Sequence, residues 1–158
     1  MTPLANAAEN GTAAVVALLL ELGADADAQS GAGFTPLIVA AAGGHTAACA
    51  LLLDAGAAVD ATHGEGVDAL MYAAAGGHLE TAELLVARGA DATATHDHGG
   101  HALLEAATAG SRAVVDFLAA RGADPALVDG DGVTALQSAA SQGRTDVVAR
   151  LLALTGGA

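Results

Sequence analysis

The stretch TPLIVAAAGGHTAACALLLDAGA, residues 35–57, contains the features that decide the fold. Its opening threonine–proline pair suits a helix start, because the threonine hydroxyl can accept a free amide and proline lacks an N–H group that would have no partner there. The glycine pair at residues 43–44 interrupts the apolar run, and Gly56 suits the left-handed residue that ends a helix. The stretch therefore predicts two short helices, from about Pro36 to Ala42 and from about Thr46 to Ala55.

The same pattern recurs along the whole chain at a constant offset of 33 residues. Leucines and glycines fall into register without insertion or deletion, as in the series Leu4, Leu37, Leu70, Leu103 and Leu136 and the series Gly11, Gly44, Gly77, Gly110 and Gly143. A helix shorter than ~12 residues is marginal in water on its own, so each unit must bury its apolar faces against its neighbours. The repeat therefore predicts an all-α solenoid of five stacked units.

Composition limits the classes of partner. The chain is 53% hydrophobic but only 2% aromatic, so its core must rely on many close contacts between alanine-rich helices. It has no lysine, and five arginines face eighteen aspartates and glutamates, which gives a formal net charge of −13. This charge repels nucleic-acid phosphates and anionic membrane surfaces and attracts a basic protein. We therefore expect a protein partner and neither a nucleic acid nor a membrane.

The remaining composition favours a cytoplasmic location. A single cysteine, Cys49, cannot form an internal disulfide, and its register with Val16, Ala82, Val115 and Val148 predicts a core residue and not a nucleophile. The first residues do not combine a charged segment with the apolar segment typical of a signal peptide. Apolar runs fall well short of the ~20 residues needed to span a bilayer.

The segments Thr35-Pro36-Leu37, Gly44-His45 and Gly56-Ala57 resemble the signature of the ankyrin repeat. The resemblance covers residues 1–158 as one domain, with repeats at about 1–29, 30–62, 63–95, 96–128 and 129–158. It implies helix-turn-helix units joined by short β-hairpin fingers at Gln29–Gly33, Thr62–Gly66, Thr95–Gly99 and Val128–Gly132. Where the family usually has a threonine before the first helix, the third and fourth units have Asp68 and His101, so we expect these two units to be locally softer.

The resemblance also implies a concave groove, formed by the fingers and the outer surface of each first helix, that takes partners. The residues expected to form the partner-binding surface are Phe34, Glu65, Val67, Asp97, His98, Asp131, Val133 and Gln142. Few aromatic anchors and several carboxylates favour a partner that brings its own basic side chains. The predicted function is non-enzymatic binding of a basic protein or peptide, and a solvated spacer role stays open because a fold alone does not fix function.

Histidines provide an alternative interpretation. His45 and His78 begin second helices, where a structural hydrogen bond to the inter-helix turn accounts for them. Four others, His63, His96, His98 and His101, fall in or beside the fingers, and His63 and His96 are one repeat apart and so are expected side by side. This group could respond to a transition metal or to pH, although its spacing fits no closed metal site. No metal or other cofactor is predicted.

Sequence motifs for catalysis are lacking, and a structural role remains possible. Asp129-Gly130-Asp131-Gly132 resembles the start of a calcium loop but lacks the later glutamate, and no serine or cysteine stands beside a recognisable base, so we predict no enzyme. Neither end of the repeat array is a distinct cap. Four apolar side chains there are candidates for partly exposed surface: Leu4, Val15, Val148 and Leu152. Such surface would support a weak homo-oligomer or a self-associating scaffold. The alternative is a monomer in which polar residues of the terminal units, such as Glu9, Asn10 and Arg144, serve as caps.

Overall fold

The computed structural model describes residues 1–156 and contains ten short α-helices within that range. They form five antiparallel pairs: α1 (Pro3–Glu9) with α2 (Ala13–Glu21), α3 (Pro36–Ala42) with α4 (Thr46–Asp54), α5 (Ala69–Ala75) with α6 (Leu79–Ala87), α7 (Ala102–Ala109) with α8 (Arg112–Ala120), and α9 (Ala135–Ser141) with α10 (Thr145–Leu154). The predicted all-α repeat solenoid is confirmed. No helix within residues 1–156 is both long enough and apolar enough to cross a membrane.

The helices stack in two layers. The first helices of the units (α1, α3, α5, α7 and α9) pack on one another in chain order, and the second helices (α2, α4, α6, α8 and α10) form the layer behind them. Between the layers lies a core of repeat-related leucines and alanines, among them Leu37, Leu52, Leu70 and Leu85, all essentially buried. Alanine at the contacts lets neighbouring helices approach closely, as the composition predicts.

A side chain caps the start of every first helix. Thr35 accepts the amide of Ile38 through its hydroxyl, and the threonines before α1 and α9 do the same. Asp68 and His101 take this position before α5 and α7, and each accepts the amide three residues ahead. The caps of the third and fourth units are therefore retained with a carboxylate and an imidazole in place of a hydroxyl.

Residues at the start of the second helices connect neighbouring units. The ring of His45 bonds the Glu9 carbonyl at 2.9 Å, and that of His78 bonds the Ala42 carbonyl at 3.1 Å. Both carbonyls belong to the last residue of the first helix in the preceding unit. The predicted structural role of these two histidines is confirmed, although the bonded carbonyl ends a helix of the preceding unit and does not belong to an inter-helix turn.

The fingers are short. One contains a two-stranded antiparallel hairpin, β1 (Thr62–His63) with β2 (Val67–Asp68), whereas two later fingers are closed by single β-bridges, Thr95 to His101 and Val128 to Thr134. Backbone hydrogen bonds also join adjacent fingers: Asp97 N donates to Glu65 O at 2.8 Å, and Gly130 N donates to His98 O at 2.6 Å. Carboxylates and imidazoles in the fingers are thereby held at fixed spacing.

The expectation for the first and last units needs one correction. Leu4 is buried, because α1 packs against both α2 and α3, and Val148 is half-buried. Val15 is 46% exposed and Leu152 is also exposed, as predicted, but the largest apolar exposure lies at Leu22, which is 74% exposed. Cys49 lies in the core as expected, and burial raises the pKa of its thiol to about 12, so it is unreactive at neutral pH.

Candidate binding groove

The fingers and the first helices form one continuous face of the molecule, which we call the groove. Along it, the structure places the predicted carboxylates and His98 at exposed finger positions and the predicted Phe34, Val67 and Val133 at half-buried ones: the exposed set is Glu65, Asp97, His98 and Asp131. Gln142, also exposed, caps the end of α9. These residues form a strip along several units and not one compact pocket.

The arginines are concentrated in one of the two layers. All five arginines lie in or next to the second helices, where three of them pair with Asp54 or Asp116: Arg88 with Asp54, and Arg112 and Arg150 with Asp116. Arg121 lies over the Phe117 ring, 4.9 Å from its centroid, and Arg144 donates to the Thr108 carbonyl. Arg144 therefore reaches the end of α7, and the other ionisable side chains described along the groove are carboxylates, histidines and Tyr72.

The end of the groove near the N-terminus is apolar. A depression of about 420 Å³ lies between α1, α3 and the first finger, with Phe34, Ile38, Val39 and Ala42 in its wall and Glu9 at its edge. Ile38 is fully buried, whereas Phe34 and Val39 are half-buried. This depression, the apolar pocket, is large enough for an aliphatic side chain.

An aromatic cluster follows in the middle of the groove. The centroids of the Phe34 and His63 rings are 3.8 Å apart, and both rings contact the ring of Tyr72 on α5. His63 Nε2 and the Tyr72 hydroxyl are 2.6 Å apart. Burial, followed by the charge of Glu105, raises the pKa of the Tyr72 hydroxyl. The phenol is therefore neutral at physiological pH, and its ring continues the apolar surface of Phe34.

The end of the groove toward the C-terminus is acidic. A depression of about 220 Å³, the acidic pocket, lies between two fingers above α7 and is lined by His96, His98, Glu105, Asp129 and Asp131 among others. Glu105 is half-buried at its floor, and burial raises the pKa of its carboxyl while His96 acts in the opposite direction. His98 Nε2 lies 3.0 Å from Glu65 Oε2 at the open rim.

The fixed geometry of the acidic pocket comes from its turns. Asp129 Oδ1 accepts the amides of Asp131 and Val133 at 3.0 and 2.9 Å, and His96 Nδ1 accepts the amide of His98 at 3.1 Å. The carboxylate of Asp129 and one nitrogen of His96 are thus occupied by the backbone. Among residues 1–156, the carboxylates of Glu105 and Asp131 accept no such amide bond, and both line the pocket.

The four finger histidines do not converge. His63 is engaged with Phe34 and Tyr72, His96 and His98 lie at the acidic pocket, and His101 is buried as the cap of α7. Within residues 1–156, no group of three or more histidine, cysteine, aspartate or glutamate side chains is arranged to hold a metal ion. The geometry gives no support to the metal alternative.

Three groove residues escaped the sequence-based prediction, namely Val39, Tyr72 and Glu105, which occupy the same position in successive units. The feature of the sequence that could have identified them is helical periodicity. Residues three apart share a helix face, and Val39 stands three residues before Ala42, the exposed last residue of α3. The same step leads from Ala75 to Tyr72 and from Thr108 to Glu105.

Comparison with known families gives two matches. A family model described as ankyrin repeats (3 copies) matches residues 4–96, which is more than half of the chain. A second model, described as ankyrin repeats (many copies), matches residues 103–152. A search of curated proteins finds no match to the chain.

Proposed function

Because the chain belongs to the ankyrin repeat family, whose repeats are generally protein-interaction modules, we propose that it is a non-enzymatic binding module whose groove takes a basic protein or peptide. The position of the arginines relative to the groove carboxylates carries this proposal. The arginines lie with the second helices, while carboxylates follow one another along the groove: Glu65, Asp97, Glu105 and Asp131. A basic segment entering this groove would meet no lysine, and Arg144, at the end of α7, is the arginine nearest to it.

Small residues on the groove face support an extended peptide as the bound segment. Each of α3 and α5 ends in an exposed alanine followed by a glycine, Ala42-Gly43 and Ala75-Gly76. Without bulky side chains there, a peptide backbone can approach the helices closely. The carboxylates then supply attraction that speeds encounter and weakens with salt. The single buried cysteine without a disulfide supports a reducing, cytoplasmic setting for this binding.

Selection from a displayed library of random peptides of about twelve residues tests the proposal, since such peptides are long enough to cross several units. Peptides retained by the full chain should carry more lysine and arginine than the unselected library. Their binding, measured by fluorescence polarisation with synthetic copies, should weaken as salt is added.

A matched pair of triple variants locates the interaction. Neutralising Glu65→Gln, Asp97→Asn and Asp131→Asn should weaken binding by about tenfold, from three partly screened charge interactions. Neutralising three exposed carboxylates on the second helices, Glu21→Gln, Glu80→Gln and Glu83→Gln, changes the net charge equally and should leave affinity nearly unchanged. Enriched peptides without excess positive charge, or equal loss in both variants, would refute the groove as the basic-partner site.

Self-association is a second candidate function, favoured by the outer face of α2. Val15, Leu18 and Leu22 form an exposed apolar stripe at helical spacing. The residues that correspond to Val15 in the later units are all buried: Ala48, Thr81, Val114 and Val147. Light scattering should then give a mass above that of the monomer at low and high salt alike, and Leu18→Asp with Leu22→Ser should return the monomer mass.

A further inference from the structure

We propose that the groove recognises an extended segment with two anchors, an aliphatic side chain in the apolar pocket and a lysine or arginine in the acidic pocket, about five or six residues apart. This inference rests on the proposed function and adds to it the order and spacing of the partner's residues. It follows from a polarity gradient along the groove, which is apolar near α3, aromatic near α5 and acidic near α7.

The apolar pocket selects an uncharged anchor. Phe34, Ile38 and Val39 form its wall, so a charged side chain there would lose water without gaining a hydrogen-bonding partner from these residues. Ala42 closes one edge with only a methyl group and is exposed, which leaves room for the incoming side chain. Glu9 at the edge places one carboxylate beside the entering backbone, where it favours a flanking positive charge.

The middle of the groove accepts peptide without a further anchor. Phe34, His63 and Tyr72 fill the space between the first finger, the second finger and α5, with His63 stacked on Tyr72 and Phe34 tilted against both. Because His63 Nε2 and the Tyr72 hydroxyl already bond each other, these two atoms do not add a polar anchor. Residues between the two anchors are therefore expected to be tolerant of substitution.

The acidic pocket selects a cation on a long side chain. Glu105 lies half-buried at its floor and Asp131 at its rim, so a side chain must reach inward past the fingers to meet both. Gly100 and Gly130 form part of the wall. A Cβ added at Gly100 would lie 2.1 Å from His96 Nε2, so the wall has no room for a larger residue at that position. Lysine and arginine have this length and charge, and arginine can engage a carboxylate with two N–H groups.

The spacing of the anchors follows from the stack. One pocket lies over α3 and the other over α7, with α5 between them. Packed helices are about 8–10 Å apart, so the two pockets are separated by roughly 16–20 Å. An extended chain advances about 3.3 Å per residue, which corresponds to a separation of about five or six residues.

The experiment uses the peptides selected against the full chain, aligned for an aliphatic residue and a lysine or arginine at fixed separation. Their shared pattern should place these two residues about five or six positions apart. Synthetic peptides in which the separation is shortened or lengthened by about three residues should bind about tenfold more weakly, because only one anchor can then be seated.

Paired variants assign each anchor to its pocket. Ala42→Gln fills the apolar pocket and should weaken binding about tenfold, whereas Ala47→Gln, at an exposed position on α4 of the same unit, should not. Glu105→Gln should weaken binding about fivefold through loss of a half-buried charge, with Glu83→Gln on α6 as its control. Circular dichroism melting of each variant checks that the fold is retained.

Each outcome is decisive. Loss of binding in both pocket variants, together with the preferred spacing, supports the two-anchor inference. Peptides that respond to Glu105→Gln but not to Ala42→Gln, or that show no preferred spacing, overturn it and leave the basic-partner proposal intact. Enrichment of no peptide, or binding unaffected by any groove variant, overturns both.

Discussion

Asp68 caps a helix with a buried charge. Its Oδ1 accepts the amide of Met71 at 2.8 Å, yet only 8% of the residue is exposed. Burial raises the pKa of its carboxyl above the usual 3.8, although the amides of Met71 and Leu70 act in the opposite direction. A carboxyl whose pKa is raised by folding stabilises the native state most at low pH, and that contribution is lost as pH rises through the folded pKa.

We therefore predict that Asp68→Asn is more stable than the wild type at pH 7, because the amide oxygen keeps the cap without burying a charge. Asp68→Ala should lose about 1 kcal/mol, the usual contribution of a helix cap. Urea unfolding measures both, and the advantage of Asp68→Asn should vanish as pH falls below the usual carboxyl pKa of 3.8. Equal destabilisation by both substitutions would show that the charge itself is favourable here.

His101 gives the fourth unit a different sensitivity to pH. It is only 2% exposed, and its Nδ1 accepts the amide of Leu104. Burial lowers the pKa of the ring below the usual 6.5, and His96 acts in the same direction. The Leu127 carbonyl and the carboxylates of Asp124 and Asp129 act in the opposite direction and raise the pKa of the ring.

The unfolded chain takes up the His101 proton before the folded chain does, so we predict that stability falls as pH decreases from about 6.5 through the folded pKa. His101→Thr should remove this component while keeping a capping hydroxyl, as Thr35 does in the second unit. Chemical denaturation across this pH range provides the measurement. His98→Gln, at an exposed position, serves as the control and should keep the wild-type dependence, whereas a dependence unchanged in His101→Thr would contradict the assignment.

At the scale of the helices, the junction between the third and fourth units lacks the bond that His45 and His78 make elsewhere, because Ser111 stands at that position. Ala109 explains the change. The corresponding residues of the second and third units are Gly43 and Gly76, where an added Cβ would lie 2.5 and 2.3 Å from the histidine ring. The methyl group of Ala109 thus occupies the space that a histidine at position 111 would need.

This conflict predicts non-additive substitutions. Ser111→His alone should destabilise the protein, because its ring would meet the Ala109 methyl group. Combined with Ala109→Gly, the ring can bond the Ala75 carbonyl as His78 bonds that of Ala42, so we expect a favourable coupling of about 1 kcal/mol. Guanidinium unfolding of the two single variants and the double variant completes the cycle. Additive effects would mean that Ala109 does not hinder the ring.

Helix positions were predictable from sequence because a 33-residue register repeats the same local signals five times. The predicted helix Pro36–Ala42 agrees with α3 at both ends, and the second helix ends at Asp54, one residue before the prediction. Tertiary detail was harder to predict. The pairing of His63 with Tyr72 depends on side-chain directions across a finger and a helix, and Leu4 is covered by contacts that its position in the first unit does not reveal.

For the whole molecule, the formal charge of −13 opposes folding through self-repulsion. We predict that raising NaCl from ~0.02 M to ~0.5 M increases Tm by a few degrees, because screening relieves this repulsion more than it weakens the exposed ion pairs. Differential scanning fluorimetry measures the shift. A fall in Tm would instead show that pairs such as Arg88 with Asp54 dominate. Salt is thus expected to strengthen the fold while weakening partner binding.

The two-layer stack also governs how fast the chain reaches its native state. Its main helix contacts join elements of the same unit or of adjacent units, so native contacts are close in sequence. Chains rich in such local contacts have low contact order and fold quickly. Folding can begin at any adjacent pair of units and spread in both directions, which shortens the time during which alanine-rich helices are exposed to aggregation.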